Sequence, residues 1–486
     1  MPLMGKKKNL NVKKSRLIVV SNRSPYFFES YKDGIRMTRS VSGMVTGLEP
    51  VLASTRGMWI AWGALPKEVT DRIFRIPPEN PTFDLKLIQL DANEINRYYL
   101  GFSNSTLWPL AHNFLGRTVY EEQDWHVYEQ VNDKFAQAVA EEIRSKDTIW
   151  VNDYQLSLVP GKMRALGVRG KIGFFWHIPF PPLDLFRTLP WRKEIISGLL
   201  GSDLVGFHCR SYANNFLQAV EELLGLDVSF SKGLIRTRRP VQVAAFPMGI
   251  DYKRIQSLIK SNNAIDTARK IRKELAAKHL VLGVDRLDYS KGIPERLAAV
   301  ERFLEENPAY IGKLSFIQVS VPSRIQLPEY AKMQSEVENA VGRINGRFSK
   351  RGWVPIHYYF RALPFEELVS YYMASDVCLI TPLRDGMNLV AKEYIASQNR
   401  NRGMLVLSEF AGAAEELKEA VLVNPYSIPS IVRGLKKALE MKPGERYFRM
   451  NEMHQRLKRR DIEKWGRLFL EKLSRQIETK PVKRRP

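Results

Sequence analysis

Apolar residues in this 486-residue chain come in short unbroken runs separated by longer amphipathic stretches. In the first half the runs cover 17–20, 58–62, 148–151, 171–176, 203–207 and 241–245; in the second they cover 279–283, 314–319, 356–359, 376–380, 404–407 and 420–423. Most lack polar alternation, as strands covered on both faces should. Between them lie helical patterns. Residues 211–224 place Phe216, Val220, Leu223 and Leu224 on one face and stop at Gly225, while 294–306 opens with Pro294 at a first helical position. Strands alternating with helices through both halves predict an α/β chain of two Rossmann-like doubly wound domains facing a cleft. Pro247 and Gly249 interrupt the pattern, so the expected domains are 16–248 and 249–460. An amphipathic helix is expected over 461–478, with Ile462, Trp465, Leu468, Phe469 and Leu473 on one face; the pattern does not say which domain it covers.

Composition narrows the class. Hydrophobic content of 44% and aromatic content of 10% suit a soluble globular protein with a large interior. No stretch reaches the ~18 apolar residues of a membrane span, and no signal-length apolar segment follows the basic N-terminus. Cys209 and Cys378 lie in apolar, strand-like surroundings, which predicts free thiols in a reducing, cytoplasmic compartment. The net charge of +23 invites a nucleic-acid reading, but 1–16 and 479–486 carry ten of those charges without an acid. Both ends, 1–15 and 479–486, are expected to be disordered basic tails. No zinc-finger, helix-turn-helix or RNA-recognition pattern accompanies the charge, so neither nucleic-acid nor membrane partners are expected. The residues do not fix oligomeric state and leave a homo-oligomer open.

Two segments carry candidate chemistry. Val284-Asp285-Arg286-Leu287-Asp288-Tyr289-Ser290-Lys291-Gly292 joins an expected strand to an expected helix and holds two cations, Arg286 and Lys291. Alone it reads as a solvated basic loop; at the ligand-binding edge of a parallel sheet it can hold phosphate. The second segment, Asp385-Gly386-Met387-Asn388-Leu389-Val390-Ala391-Lys392-Glu393, leads from a strand into a helix whose first backbone N–H groups suit a diphosphate or sugar hydroxyls. Asp385 and Glu393 are spaced so that one reaches a sugar and the other a ribose, although a lone helical Glu is ordinarily a surface residue. There is no Asp-x-Asp motif and no histidine cluster, so no catalytic metal and no cofactor are expected.

These two segments recur in a known family, together with Val19-Val20-Ser21-Asn22-Arg23, Phe102-Ser103-Asn104, Leu107-Trp108-Pro109, Gly173-Phe174-Phe175, His177-Ile178-Pro179-Phe180-Pro181, Val341-Gly342-Arg343-Ile344-Asn345-Gly346-Arg347 and Leu407-Ser408-Glu409-Phe410-Ala411-Gly412. Over about 16–470 the chain resembles the trehalose-6-phosphate synthases, retaining glycosyltransferases of family 20 with the GT-B architecture. The resemblance implies transfer of glucose from a nucleotide-glucose to glucose 6-phosphate, forming α,α-trehalose 6-phosphate. It puts Arg286 and Lys291 on the donor diphosphate, Asp385 and His177 on the transferred glucose, and Glu393 on the ribose. Gly43 and the 385–393 segment complete the donor side. Arg23, Tyr99 and Arg324 match positions for the acceptor phosphate, Asp153 one for its hydroxyls, and Trp108 one beside it. Without the motifs, Tyr99, Trp108 and His177 would read as core residues. UDP-glucose is the family default, with guanosine and adenosine donors left open.

The sequence also departs from the family. Ser42 stands where a first glycine is usual, Asn152 and Gln155 replace the histidines of His-Asp-Tyr-His, and Trp176 replaces a common leucine. Two further readings stay open: a glucosylglycerol-phosphate synthase taking glycerol 3-phosphate, and a non-catalytic regulatory subunit of a trehalose-synthesising complex.

Overall fold

The computed structural model describes residues 16–31, 34–39, 43–64, 73–275, 277–324, 326–398 and 402–475. Both expected basic tails lie outside these residues.

All twelve apolar runs are strands, and they divide between two sheets. The smaller sheet holds six parallel strands in the spatial order Ile356–Tyr359, Leu314–Val321, His279–Arg286, Val377–Ile380, Met404–Ser408 and Val421–Val423. Numbered along the chain this is 3-2-1-4-5-6, and its order reverses between His279–Arg286 and Val377–Ile380. The larger sheet has ten strands. Its parallel centre runs Val241–Ala245, Leu204–Phe207, Lys171–Trp176, Thr148–Asn152, Leu17–Arg23, Met58–Trp62 and Phe83–Ile88, and reverses between Thr148–Asn152 and Leu17–Arg23. A reversal sends the following connections to opposite faces and opens a crevice at the carboxyl ends of the strands. The two reversals therefore place Arg23 and Asp153 at one crevice, and Arg286, Lys291 and Asp385 at the other.

Several elements have no clear signature in the sequence. Ile73–Ile76, Asp227–Ser229 and Leu234–Arg236 extend the larger sheet as short antiparallel strands, and Tyr26–Tyr31 pairs with Gly34–Arg39 as a separate hairpin. Residues Ile95–Leu107 form wide π-helical turns, seen in the Trp108 N–H donating to the Ser103 carbonyl five residues back. Such turns are rare and gather at functional sites.

The last helix, Ile462–Ser474, starts at Asp461, whose carboxylate accepts from the Lys464 N–H at 2.8 Å. It crosses back to the larger sheet. Phe469 stacks on Trp150 at 4.2 Å, and Trp465 lies 5.1 Å from the same ring. Gly173 and Gly206 leave the room: a Cβ at either would lie 2.7–2.8 Å from the Phe469 ring. Among the described residues, no helix is long and apolar enough to cross a membrane.

Candidate active site

On the side of the smaller sheet, two loops meet. Lys291 Nζ donates to Asp385 Oδ2 at 2.6 Å, and Asn388 Nδ2 donates to the same oxygen at 3.0 Å. Burial pushes the Asp385 carboxyl up, but Lys291 and these hydrogen bonds outweigh it and hold the group below the usual carboxylate value. Asn388 also caps the helix Leu389–Ser397 by accepting from the Ala391 N–H at 3.0 Å. Fully buried Arg296 ties the loops together from beneath, reaching Asp285 at 2.5 Å, Thr381 Oγ1 at 3.0 Å and the Lys291 carbonyl at 3.2 Å. Arg286 stands exposed at the strand end, its guanidinium 5.3 Å from the Trp108 ring centre across the cleft.

The helix after Asp385 separates into distinct environments. Met387, Ala391 and Lys392 are buried, and Leu389, Val390 and Glu393 are partly buried. Lys392 turns away from the cleft: its Nζ donates to the Met248 carbonyl at 2.7 Å and pairs with Glu416 at 2.5 Å. Burial lowers its pKa in spite of that carboxylate. Glu393 accepts from the Tyr372 hydroxyl at 3.0 Å, and burial raises its pKa. With Leu389, Ile250, Asp251, Leu363 and Phe365 it lines a cavity of ≈ 530 Å³.

On the side of the larger sheet, the Arg23 guanidinium donates to the Tyr99 hydroxyl and lies 5.3 Å from that ring's centre. Burial alone would raise the Tyr99 pKa, but Arg23, Arg324 and Arg286 together lower it. Arg324, reaching over from the other sheet, sits 4.2 Å from the centre of the Trp108 ring. Its Nη1 donates to Tyr330 at 2.7 Å and to Asp288 at 3.2 Å. Burial disfavours the Asp288 anion, yet Arg324, Arg286 and Lys291 hold it far below the usual range.

Asp153 follows the strand Thr148–Asn152 with a left-handed backbone, φ 76°. Its Oδ1 accepts from the N–H groups of Tyr154 at 2.9 Å and His177 at 3.1 Å. Burial dominates and pushes its pKa up to about 6. His177 contacts Asn152 at 3.1 Å and stays neutral, its pKa lowered well below the usual value by burial and by His208. Gly386 closes against it. A Cβ there would lie 2.5 Å from the His177 carbonyl oxygen, so only glycine lets this loop approach.

One cleft thus brings together Arg23, Tyr99, Trp108, Asp153 and His177 from the first sheet with Arg286, Lys291, Arg324, Asp385 and Gly386 from the second. Gly43 begins the helix Gly43–Thr55, and Ser42 lies outside the described residues. Three groups went unnoticed in the sequence. Asp288 stands between the two cations of its own motif, which was a signal. Tyr330 and buried His112, whose pKa burial lowers to about 3, join only through the fold. Arg23 and Arg286 have no carboxylate partner among the described residues. Two guanidiniums without a carboxylate partner, one from each sheet, suit two separate anions. Among the described residues, no group of three or more His, Cys, Asp or Glu side chains is placed to hold a metal.

Two parallel-sheet domains whose cation-bearing loops face each other across a cleft have the architecture expected of a two-domain glycosyltransferase. The model of glycosyltransferase family 20 matches residues 15–475, and the chain belongs to that family. It is 42% identical over 480 residues to a trehalose-6-phosphate synthase of Mycobacterium sp. strain KMS, covering 96% of this chain and 97% of that one. Among solved structures it resembles a UDP-forming α,α-trehalose-phosphate synthase of Burkholderia xenovorans in complex with glucose-6-phosphate (TM-score 0.86, 36% identity, 94% and 100% of the two chains covered). It also resembles the E. coli protein bound with UDP-2-fluoro glucose (TM-score 0.87, 33% identity, 95% and 100% covered).

Proposed function

We propose that this protein is a retaining glucosyltransferase that moves glucose from a nucleotide-glucose, UDP-glucose foremost, to glucose 6-phosphate and forms α,α-trehalose 6-phosphate. The observation that carries this reading is the pair of carboxylate-free guanidiniums, Arg286 and Arg23, on opposite sides of one cleft. Family membership and the ligands named for the Burkholderia and E. coli proteins support it.

In this reading 16–248 is the acceptor side and 249–460 the donor side, with 461–478 as a returning helix. Arg286 and Lys291 hold the diphosphate, whose charge grows as the glycosidic bond breaks, and fixed cations stabilise that transition state. Asp385, Gly386, the N–H groups of Met387 to Val390, and His177 surround the glucose. Glu393 takes the ribose at the ≈ 530 Å³ cavity, and Gly43 approaches the diphosphate. Arg23, Tyr99 and Arg324 bind the acceptor phosphate, Trp108 packs beside the acceptor sugar, and Asp153 accepts from its hydroxyls. A retaining glycosidase would need two carboxylates ~5 Å apart with one free to attack. Asp385 is instead tied to Lys291 and Asn388, which favours a front-face route in which the leaving phosphate accepts the acceptor's proton.

Cytoplasmic residence fits the two buried free cysteines, whose thiols burial raises above the usual value. The testing experiment is a panel of UDP-, GDP- and ADP-glucose against glucose 6-phosphate and glycerol 3-phosphate. The expected result is a non-reducing disaccharide phosphate from glucose 6-phosphate, with retained configuration by NMR. Preferred use of glycerol 3-phosphate would point to the glucosylglycerol-phosphate reaction. No turnover with any pair would favour a regulatory subunit.

A further inference from the structure

The contact between His177 and Asn152 has a direction that the surrounding atoms dictate. Asn152 ends the strand beside that of His177 and is fully buried. One end of its amide faces two backbone carbonyls, Val20 at 3.4 Å and Trp150 at 3.2 Å. Carbonyl oxygens only accept, so this end must be the NH2 group and the other end must be Oδ1. Oδ1 lies 3.1 Å from Nε2 of His177. An amide oxygen cannot donate, so the proton sits on Nε2.

The ring is otherwise packed among Phe175 at 4.6 Å, His208 at 5.4 Å and Trp465 at 6.1 Å. Burial keeps it neutral, which leaves Nδ1 with a lone pair. Among the described residues Nδ1 has no hydrogen-bond partner, and it is not one of the sealed, unsatisfied buried atoms. It is therefore not sealed off and is free to accept a hydrogen bond. A histidine at 152 could offer His177 either a lone pair or an N–H, and would leave the tautomer undecided. The amide, committed to Val20 and Trp150, removes that choice.

We infer that Asn152 is a positioning residue that holds His177 in the Nε2–H tautomer, so that Nδ1 accepts a hydrogen bond from a hydroxyl of the transferred sugar. The sugar contact rests on the proposed glucosyl transfer; the tautomer does not.

The test is 15N NMR of the full-length protein labelled at histidine, with the His177 signals assigned through His177→Ala. Wild type should show protonated Nε2 and bare Nδ1 before any substrate is added. Asn152→His and Asn152→Leu should each bring in the Nδ1–H form, and they should lower kcat roughly tenfold, as for one lost hydrogen bond, while acceptor KM moves little. Nδ1–H in wild type overturns the inference without recourse to a variant that could misfold. A shifted tautomer with unchanged kcat in Asn152→His overturns the sugar contact. A wild type that shows the Nε2–H tautomer but transfers glucose to no sugar phosphate defeats the proposed function and leaves the role of Asn152 standing.

Discussion

Asp153, Arg324 and Asn388 share a left-handed backbone that non-glycine residues seldom adopt, and all three border the cleft. For Asp153 the consequence can be measured. Burial raises its pKa to about 6, above the value in an unfolded chain, so the folded form favours the proton. The stability this adds is full below pH ~4 and is lost as pH rises through 6. At higher pH the ionised group costs the fold about 2–3 kcal/mol. Asparagine has the same shape as aspartate and keeps an oxygen for the Tyr154 and His177 N–H groups. Asp153→Asn should therefore raise the thermal midpoint at pH 8, show no advantage at pH 4, and lose acceptor use. An unchanged midpoint at pH 8 would mean that Asp153 is better solvated than its position implies.

At the scale of elements, the site is made by two topological reversals whose loops are stapled from below. Arg296 is the staple on the side of the smaller sheet. Replacing it by leucine leaves Asp285 buried without its cation, a loss of about 3–5 kcal/mol. Arg296→Leu should lower the urea midpoint sharply and weaken nucleotide-sugar binding, although Arg296 itself is sealed from the cleft. A midpoint close to wild type would show that the loops are held by other means. The sequence marked the strands that feed these loops because each is covered on both faces and reads as an unbroken apolar run. The edge strand Ile73–Ile76 is half solvated, so it left no such run. The π-helical turns of Ile95–Leu107 depend on packing around Tyr98 and Phe102, which local periodicity does not encode. Arg286, Lys291 and Asp385 were legible because each lies in a long motif. The hold of Asp288 on Arg324 was not, since the two meet only when the strands His279–Arg286 and Leu314–Val321 lie side by side.

The whole molecule depends on contacts that cross between the sheets. Tyr212 donates to the Asp385 carbonyl at 3.0 Å, and Ser211 donates to Glu415 at 2.8 Å. Arg324 and Arg286 reach the Trp108 ring from the other side. The returning helix adds a covalent tie, because the chain leaves the smaller sheet and seats Phe469 against Trp150 of the larger one. Phe469→Ala should cost about 3–5 kcal/mol and expose the helix to hydrogen exchange. Retained protection there would show that Trp465 and Ile462 suffice.

The central claim, that Arg286 clamps the leaving diphosphate, is tested most directly by steady-state transfer from UDP-glucose to glucose 6-phosphate in Arg286→Ala. The expected loss is about 10²–10³-fold in kcat, the scale for removing one group that stabilises developing charge, with the thermal midpoint unchanged because the side chain is exposed. Near-normal turnover in that variant would contradict the claim.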